Sequence, residues 1–168
     1  MDLPKRKPNR LPGYDYSAPG VYFITICTQN RKPLLSEIVG GGVLDAPRVR
    51  LTKCGEIADA QIKAMQAFYE NISLDRYVIM PNHVHLLLTV LPVGPSGTPA
   101  PTKTRQNSTV AGFVSTFKRF CNRDCGQSLF QRSYHDHIVR GEADYQEIVR
   151  YIAENPARWQ EDCFYEPK

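Results

Sequence analysis

No apolar run in this chain of 168 residues approaches the roughly 20 residues that a membrane-spanning helix needs. The pattern therefore offers no segment for an α-helical membrane protein. Cysteine is scarce and odd in number: Cys27, Cys54, Cys121, Cys125 and Cys163 match no small disulfide scaffold, so free thiols in a reducing compartment are expected. No internal repeat is present. No Gly-x-Ser-x-Gly element is found, which removes the usual serine-hydrolase signature. Neither histidine pair is followed by the serine or threonine that two-histidine phosphoesterases use. The opening residues, MDLPKRKPNRLPG, are charged and proline-rich rather than secretory, and a soluble cytoplasmic protein is expected. The net charge of +4 permits a polyanionic partner without requiring one.

What is present reads as one domain of ordinary size. Residues 1–19 form a basic N-terminal arm, with Lys5, Arg6, Lys7 and Arg10 against Asp2. From Gly20 the run Val-Tyr-Phe-Ile-Thr-Ile-Cys-Thr predicts a first strand. The glycines at 40–42 predict a loop. Thr52 is a candidate N-cap for a first helix reaching Asn71. Leu74–Met80 and His83–Val90 predict a hairpin joined by Pro81-Asn82. Residues 91–107, rich in proline, glycine, serine and threonine, predict a flexible loop.

Val110, Phe113, Val114, Phe117 and Phe120 then recur at helical spacing over Thr109–Arg123, and Ser133–Val139 predicts a short strand. A third helix from Gly141-Glu142 should stop near Asn155, because Pro156 disfavours helical geometry in the residue before it. The single domain would span 20–156, with 157–168 as a tail. The order implies an α+β fold: a ferredoxin-like antiparallel sheet (βαββαβ) with its helices mainly on one face, and a C-terminal helix.

All four histidines occur as two His-x-His pairs on predicted strands. Alternation puts His83 and His85 on one face, about 7 Å apart along the strand, with Val84, Leu86, Leu88 and Val90 on the other. The apolar side should meet the helices and leave the imidazoles on an open face, close enough to share one ion. A pair of ordinary strand histidines is the plain alternative. The same parity sets His135 and His137 opposite Ile138, where His137 can join the site or be structural, and His135 is simply exposed. On the third helix Tyr145, Ile148, Val149 and Ile152 form the apolar stripe. Tyr151 and Asn155, four residues apart, share its flank.

Three runs carry a resemblance: Tyr77-Val-Ile-Met-Pro-Asn-His-Val-His-Leu-Leu-Leu88, Tyr134-His-Asp-His-Ile-Val-Arg140 and Tyr151-Ile-Ala-Glu-Asn-Pro156. Together they resemble the single-tyrosine HUH transposases of small insertion sequences, most closely the repetitive-palindrome-associated tyrosine transposases. The resemblance spans Gly20 to Pro156. It implies a metal-dependent single-stranded DNA endonuclease and strand transferase that forms a 5′-phosphotyrosine. It assigns His83, His85 and Asn155 as ligands of Mg or Mn, and Tyr151 as the nucleophile with the ion or His137 assisting. Asn155 stands where many insertion-sequence members carry glutamine, which fits the palindrome-associated branch. Ligand softness leaves the metal open, since imidazole also suits Zn, Fe or Ni.

The implied partner is single-stranded DNA folded as a hairpin. A homodimer is compatible with the reading, and no membrane partner is implied. Lys118, Arg119 and Arg123 on the second helix, Lys103 and Arg105 in the loop, and the arm's Lys5, Arg6, Lys7 and Arg10 are the candidate phosphate contacts. A zinc site from Cys121, Cys125, His135 and His137 has no familiar spacing. The alternative function is a domesticated, non-catalytic DNA- or RNA-binding protein on the same fold.

Overall fold

A computed structural model of the chain describes residues 13–41, 45–92 and 109–165. The first apolar run forms β1, Gly20–Cys27. Two four-residue strands follow, β2 at Ser36–Val39 and β3 at Arg48–Leu51, paired antiparallel. The sequence pattern did not predict this hairpin. Helix α1, Lys53–Phe68, starts where expected, with the Thr52 side chain accepting from the Gly55 amide and so capping one of the orphan donors of the first turn.

Strands β4 (Ile72–Ile79) and β5 (His83–Val90) make the hairpin across Pro81-Asn82. Helix α2 covers Thr109–Cys125, β6 is His135–Ile138, and α3 runs Glu142–Glu154. The main sheet has the order β4-β5-β1-β6 with every neighbour antiparallel. Each βαβ unit therefore skips one strand, which is the split arrangement of a ferredoxin-like fold.

One face of this sheet holds the main core. Tyr22, Ile24 and Ile26 of β1 and Val84, Leu86, Leu88 and Val90 of β5 pack there against α1 (Ala58, Ile62, Met65) and α2 (Val110, Phe113, Val114, Phe117). A bulge between Leu74 and Arg76 resets the parity of β4, so that Tyr77 and Ile79 also turn to this side.

The other face is not open, contrary to the expectation from sequence. Helix α3 lies across it, with Ile148 and Ile152 buried against Leu87 and flanked by Val21, Phe23 and Val78. Burying side chains of this size contributes about 1.5–3 kcal/mol each, enough to seat α3 over the histidine side of the sheet. The helix ends as Pro156 demands, yet Asn155 keeps right-handed helical angles (φ −53°, ψ −42°), and its amide still donates to the Tyr151 carbonyl at 2.9 Å. Tertiary packing overrides the local bias at that position. Residues 157–165 then continue through a short 3-10 turn, Trp159–Glu161.

Candidate active site

The site forms where β5 begins, beneath the last turn of α3. His83 and His85 share a face as predicted and are 0% and 1% exposed. Their Nε2 atoms lie 3.0 Å apart. Asn82 fixes the first ring: its Nδ2 donates to the Phe164 carbonyl at 2.7 Å, so its Oδ1 accepts from His83 Nδ1 at 2.9 Å. That leaves the His83 Nε2 lone pair pointing at His85. The Nδ1 of His85 meets the Thr25 hydroxyl at 2.8 Å. A hydroxyl can donate or accept, so His85 can turn either ring nitrogen into the acceptor. Burial, and then Arg31, push His83 down to about 3. Burial and the neighbouring His83 hold His85 well below the ordinary imidazole value, against the opposing pull of Asp162. Both rings are neutral, as metal ligands must be.

Tyr151 and Asn155 converge on the same place. The phenol hydroxyl donates to Asp162 Oδ2 at 3.2 Å and the Asn155 amide nitrogen donates to the same oxygen at 2.7 Å. The Tyr151 ring stands edge-on to His85, with centroids 5.3 Å apart, and is 38% exposed. Burial, followed by the negative field of Asp162, raises the phenol above its ordinary value. Asp162 Oδ1 accepts the Phe164 amide at 2.7 Å, which seats the Phe164 ring 4.7 Å from that of His83.

Donor atoms of His83, His85 and Asp162 all lie within 4.8 Å of one another. The Oδ1 of Asn155 is buried with no hydrogen-bond partner among the described residues, and because the amide of the same side chain is bonded to Asp162, this orphaned carbonyl oxygen fits a cation as the missing neighbour. Bonds of about 2.1 Å meeting at a right angle place two nitrogens about 3.0 Å apart, so the His83–His85 spacing suits adjacent corners of one coordination sphere. The donor set fits a divalent ion.

No protein-family model matches the chain. A Haemophilus influenzae protein of uncharacterized function is 29% identical over 174 residues, covering 95% of this chain and 93% of its own. Among solved structures, a REP-associated tyrosine transposase bound to a REP hairpin aligns over 89% of this chain and 74% of its own, with 20% identity and a TM-score of 0.60. The chain has the fold of a tyrosine transposase. A Deinococcus radiodurans chain aligns over 86% of this one, with 19% identity and a TM-score of 0.43.

On this fold the remaining predicted residues scatter. His137 is bonded through Nε2 to both oxygens of Asp144 at 2.9 and 3.0 Å, and is exposed. It bonds neither the histidine pair nor Tyr151. His135 is exposed too, and lies nearer the site by register, opposite Thr25. Cys121 packs in the core between α1 and α2, on the face opposite His135 and His137, and all five cysteines are free, so the zinc alternative has no geometry.

The Lys118 ammonium donates to the carbonyls of Gln131, Arg132 and Ser133 at 2.8, 3.3 and 2.8 Å, which makes it a clamp on the approach to β6. Arg119 and Arg123 both stack on Phe120 at the surface, and Arg123 also binds Asp124. Lys5, Arg6, Lys7, Arg10, Lys103 and Arg105 lie outside the described residues. Asp162 is the site residue that sequence reasoning missed. Among the described residues, no helix is long and apolar enough to cross a membrane.

Proposed function

We propose that the chain is a metal-dependent nuclease and strand transferase for single-stranded DNA, a single-tyrosine transposase that works through Tyr151. The observation that carries this reading is the meeting of the Tyr151 hydroxyl and the Asn155 amide on one Asp162 oxygen, beside a buried neutral histidine pair. A hairpin-forming strand is the substrate favoured by likeness to the REP-bound relative. His83, His85 and Asp162, with the Asn155 carbonyl, are the groups that would hold Mg or Mn.

Such an ion supplies Lewis-acid charge to the phosphate oxygens and offsets the field that keeps the phenol protonated. The protein supplies position: α3 presents the hydroxyl at the rim of the site, where a phosphodiester has access. Asp162 Oδ2 already accepts the phenol hydrogen and is the group placed to take that proton. His137, engaged by Asp144, is not. The Tyr151 oxygen then bonds to phosphorus as the bond to the 3′ oxygen breaks, leaving a 5′-phosphotyrosine and, once protonated, a free 3′-OH. Reversal by a 3′-OH rejoins strands without an external energy source, because the phosphotyrosine keeps the energy of the original bond.

The test is incubation with single-stranded hairpin oligonucleotides and Mn, followed by denaturing electrophoresis and mass spectrometry of any adduct. A DNA phosphate on Tyr151 is expected, and Tyr151→Phe, which removes one oxygen and almost no volume, should lower cleavage about a thousandfold or more while DNA binding persists. Adduct on another tyrosine, or robust cleavage by the Phe variant, overturns the assignment. Binding without adduct under any divalent ion favours the non-catalytic alternative.

A further inference from the structure

The turn that follows β1 carries a strain that the chemistry described above does not use. Among the described residues, Asn30 and Arg31 are the two besides glycine with a positive φ, at 54° and 51°. Asparagine adopts this left-handed geometry readily, but a long side chain such as arginine pays for it in conformational energy. The turn is held in place from several sides. The Arg31 amide donates to the Thr28 carbonyl at 3.1 Å, and the Gln131 side chain donates to that same carbonyl at 3.0 Å. The Asn82 carbonyl accepts both the amide and the hydroxyl of buried Thr28, at 2.9 and 3.0 Å. Asn82 is also the residue whose side chain fixes the His83 ring. One residue thus registers the strained turn against the site.

The strain carries Arg31 over the segment that closes the site. Its guanidinium carbon lies 5.5 Å from the centre of the Phe164 ring, and that ring lies 4.7 Å from the ring of His83. Arg31 is half-buried there rather than a fully solvated surface charge. Its field reaches the site, being the cause after burial that pushes His83 down. The site's other groups do not offer such a charge: the imidazoles are neutral, Asn155 is an amide, and Asp162 is an acid. A phosphodiester brings one negative charge and an attacking phenolate adds a second, so cleavage calls for a fixed positive donor where that charge gathers. A guanidinium suits the task, because its planar fork matches two phosphate oxygens and can rest on an aromatic face while it does so.

We propose that Arg31 is a catalytic residue of strand cleavage, its guanidinium binding the non-bridging oxygens of the phosphate that Tyr151 attacks. The assignment rests on the DNA-cutting reading above and deepens it. A backbone held in an unfavourable geometry at this one arginine then has a purpose, since it aims the fork before DNA arrives.

The test compares the full chain with Arg31→Met, which keeps an apolar stem against Phe164 and removes the charge, and with Arg31→Lys, which keeps the charge and loses the fork. Three quantities are measured: the single-turnover rate of adduct formation on a hairpin oligonucleotide with Mn, the Kd for that hairpin by label anisotropy, and the rise in Tm with MnCl₂. Arg31→Met should slow adduct formation about a hundredfold. Its Kd should change less than about threefold, because the contact strengthens as the transition state forms, and its Mn-dependent rise in Tm should be unchanged. Arg31→Lys should recover about tenfold of the lost rate. A Met variant as fast as the native chain overturns the assignment, as does a Lys variant as slow as the Met one. Loss of the Mn-dependent rise would make Arg31 a packing residue for Phe164, and an equal fall in rate and affinity would make it a binding contact only; either result also overturns it. Absence of any adduct from the native chain overturns the DNA-cutting reading itself, and this assignment with it.

Discussion

Two imidazoles that must stay neutral make the fold sensitive to acid. His83 is held down to about 3 and His85 well below its ordinary value, burial being the first cause for both. The unfolded chain accepts their protons below about pH 6.5, while the native state refuses them. Unfolding therefore takes up protons, and stability falls as pH drops from about 6.5 toward 3. In EDTA, urea denaturation should show a loss of about 2 kcal/mol per imidazole between pH 6.5 and 5. A flat profile would mean that the pair is not buried and neutral. His83, His85, Tyr151 and Asn155 were legible because strand alternation and the helical turn are local rules that a sequence displays. Asp162 was not. It reaches the site only because the chain turns after Pro156 and runs back under α3, a path set by packing rather than by any spacing between Tyr151 and Asp162.

Long elements with a clear period were readable, and short ones were not. The β2–β3 hairpin is built from two strands of four residues, too few for alternation to stand out from the flanking glycines and prolines. The seating of α3 left a clue that could have been used. Leu86, Leu87 and Leu88 interrupt the alternation of β5, and a continuous apolar run marks a strand covered on both faces. The hairpin is joined to α1 through Gly55, where an added Cβ would lie 1.9 Å from the Leu35 carbonyl oxygen. Backbone cannot yield as a side-chain tip can. Thr52 also donates to the carbonyls of Leu34 and Leu35, so the clash would pry the cap and the hairpin apart together. Gly55→Ala, which on an open helix surface would be mildly stabilising, should here cost about 3 kcal/mol. Urea denaturation of the pair of proteins checks this, and a neutral result would place the hairpin elsewhere.

At the scale of the whole molecule, the site ties distant parts of the chain together. His83 and His85 sit on β5, Asn155 closes α3, and Asp162 lies on the segment beyond it. An ion bound by all of them should stabilise the native state by about 2.7 kcal/mol at a hundred times its dissociation constant. That corresponds to a Tm rise of about 5–10 °C for a chain of this size. Differential scanning fluorimetry with MnCl₂ should show the rise, with His83→Ala/His85→Ala abolishing it and Asp162→Asn reducing it. An undiminished shift in the double variant would put the ion at another site. The same layout divides the chemistry along the chain. Strand β5 carries its histidines at one end and runs away from them to Val90, and everything supplying the phenol, the amide and the carboxylate follows Thr109. On the proposed function, a backbone break between Leu91 and Thr109 would yield two pieces, one bearing the imidazoles and the other the nucleophile, neither able to cut alone, and fusing them to two proteins that meet in a cell would turn that encounter into a scar on DNA.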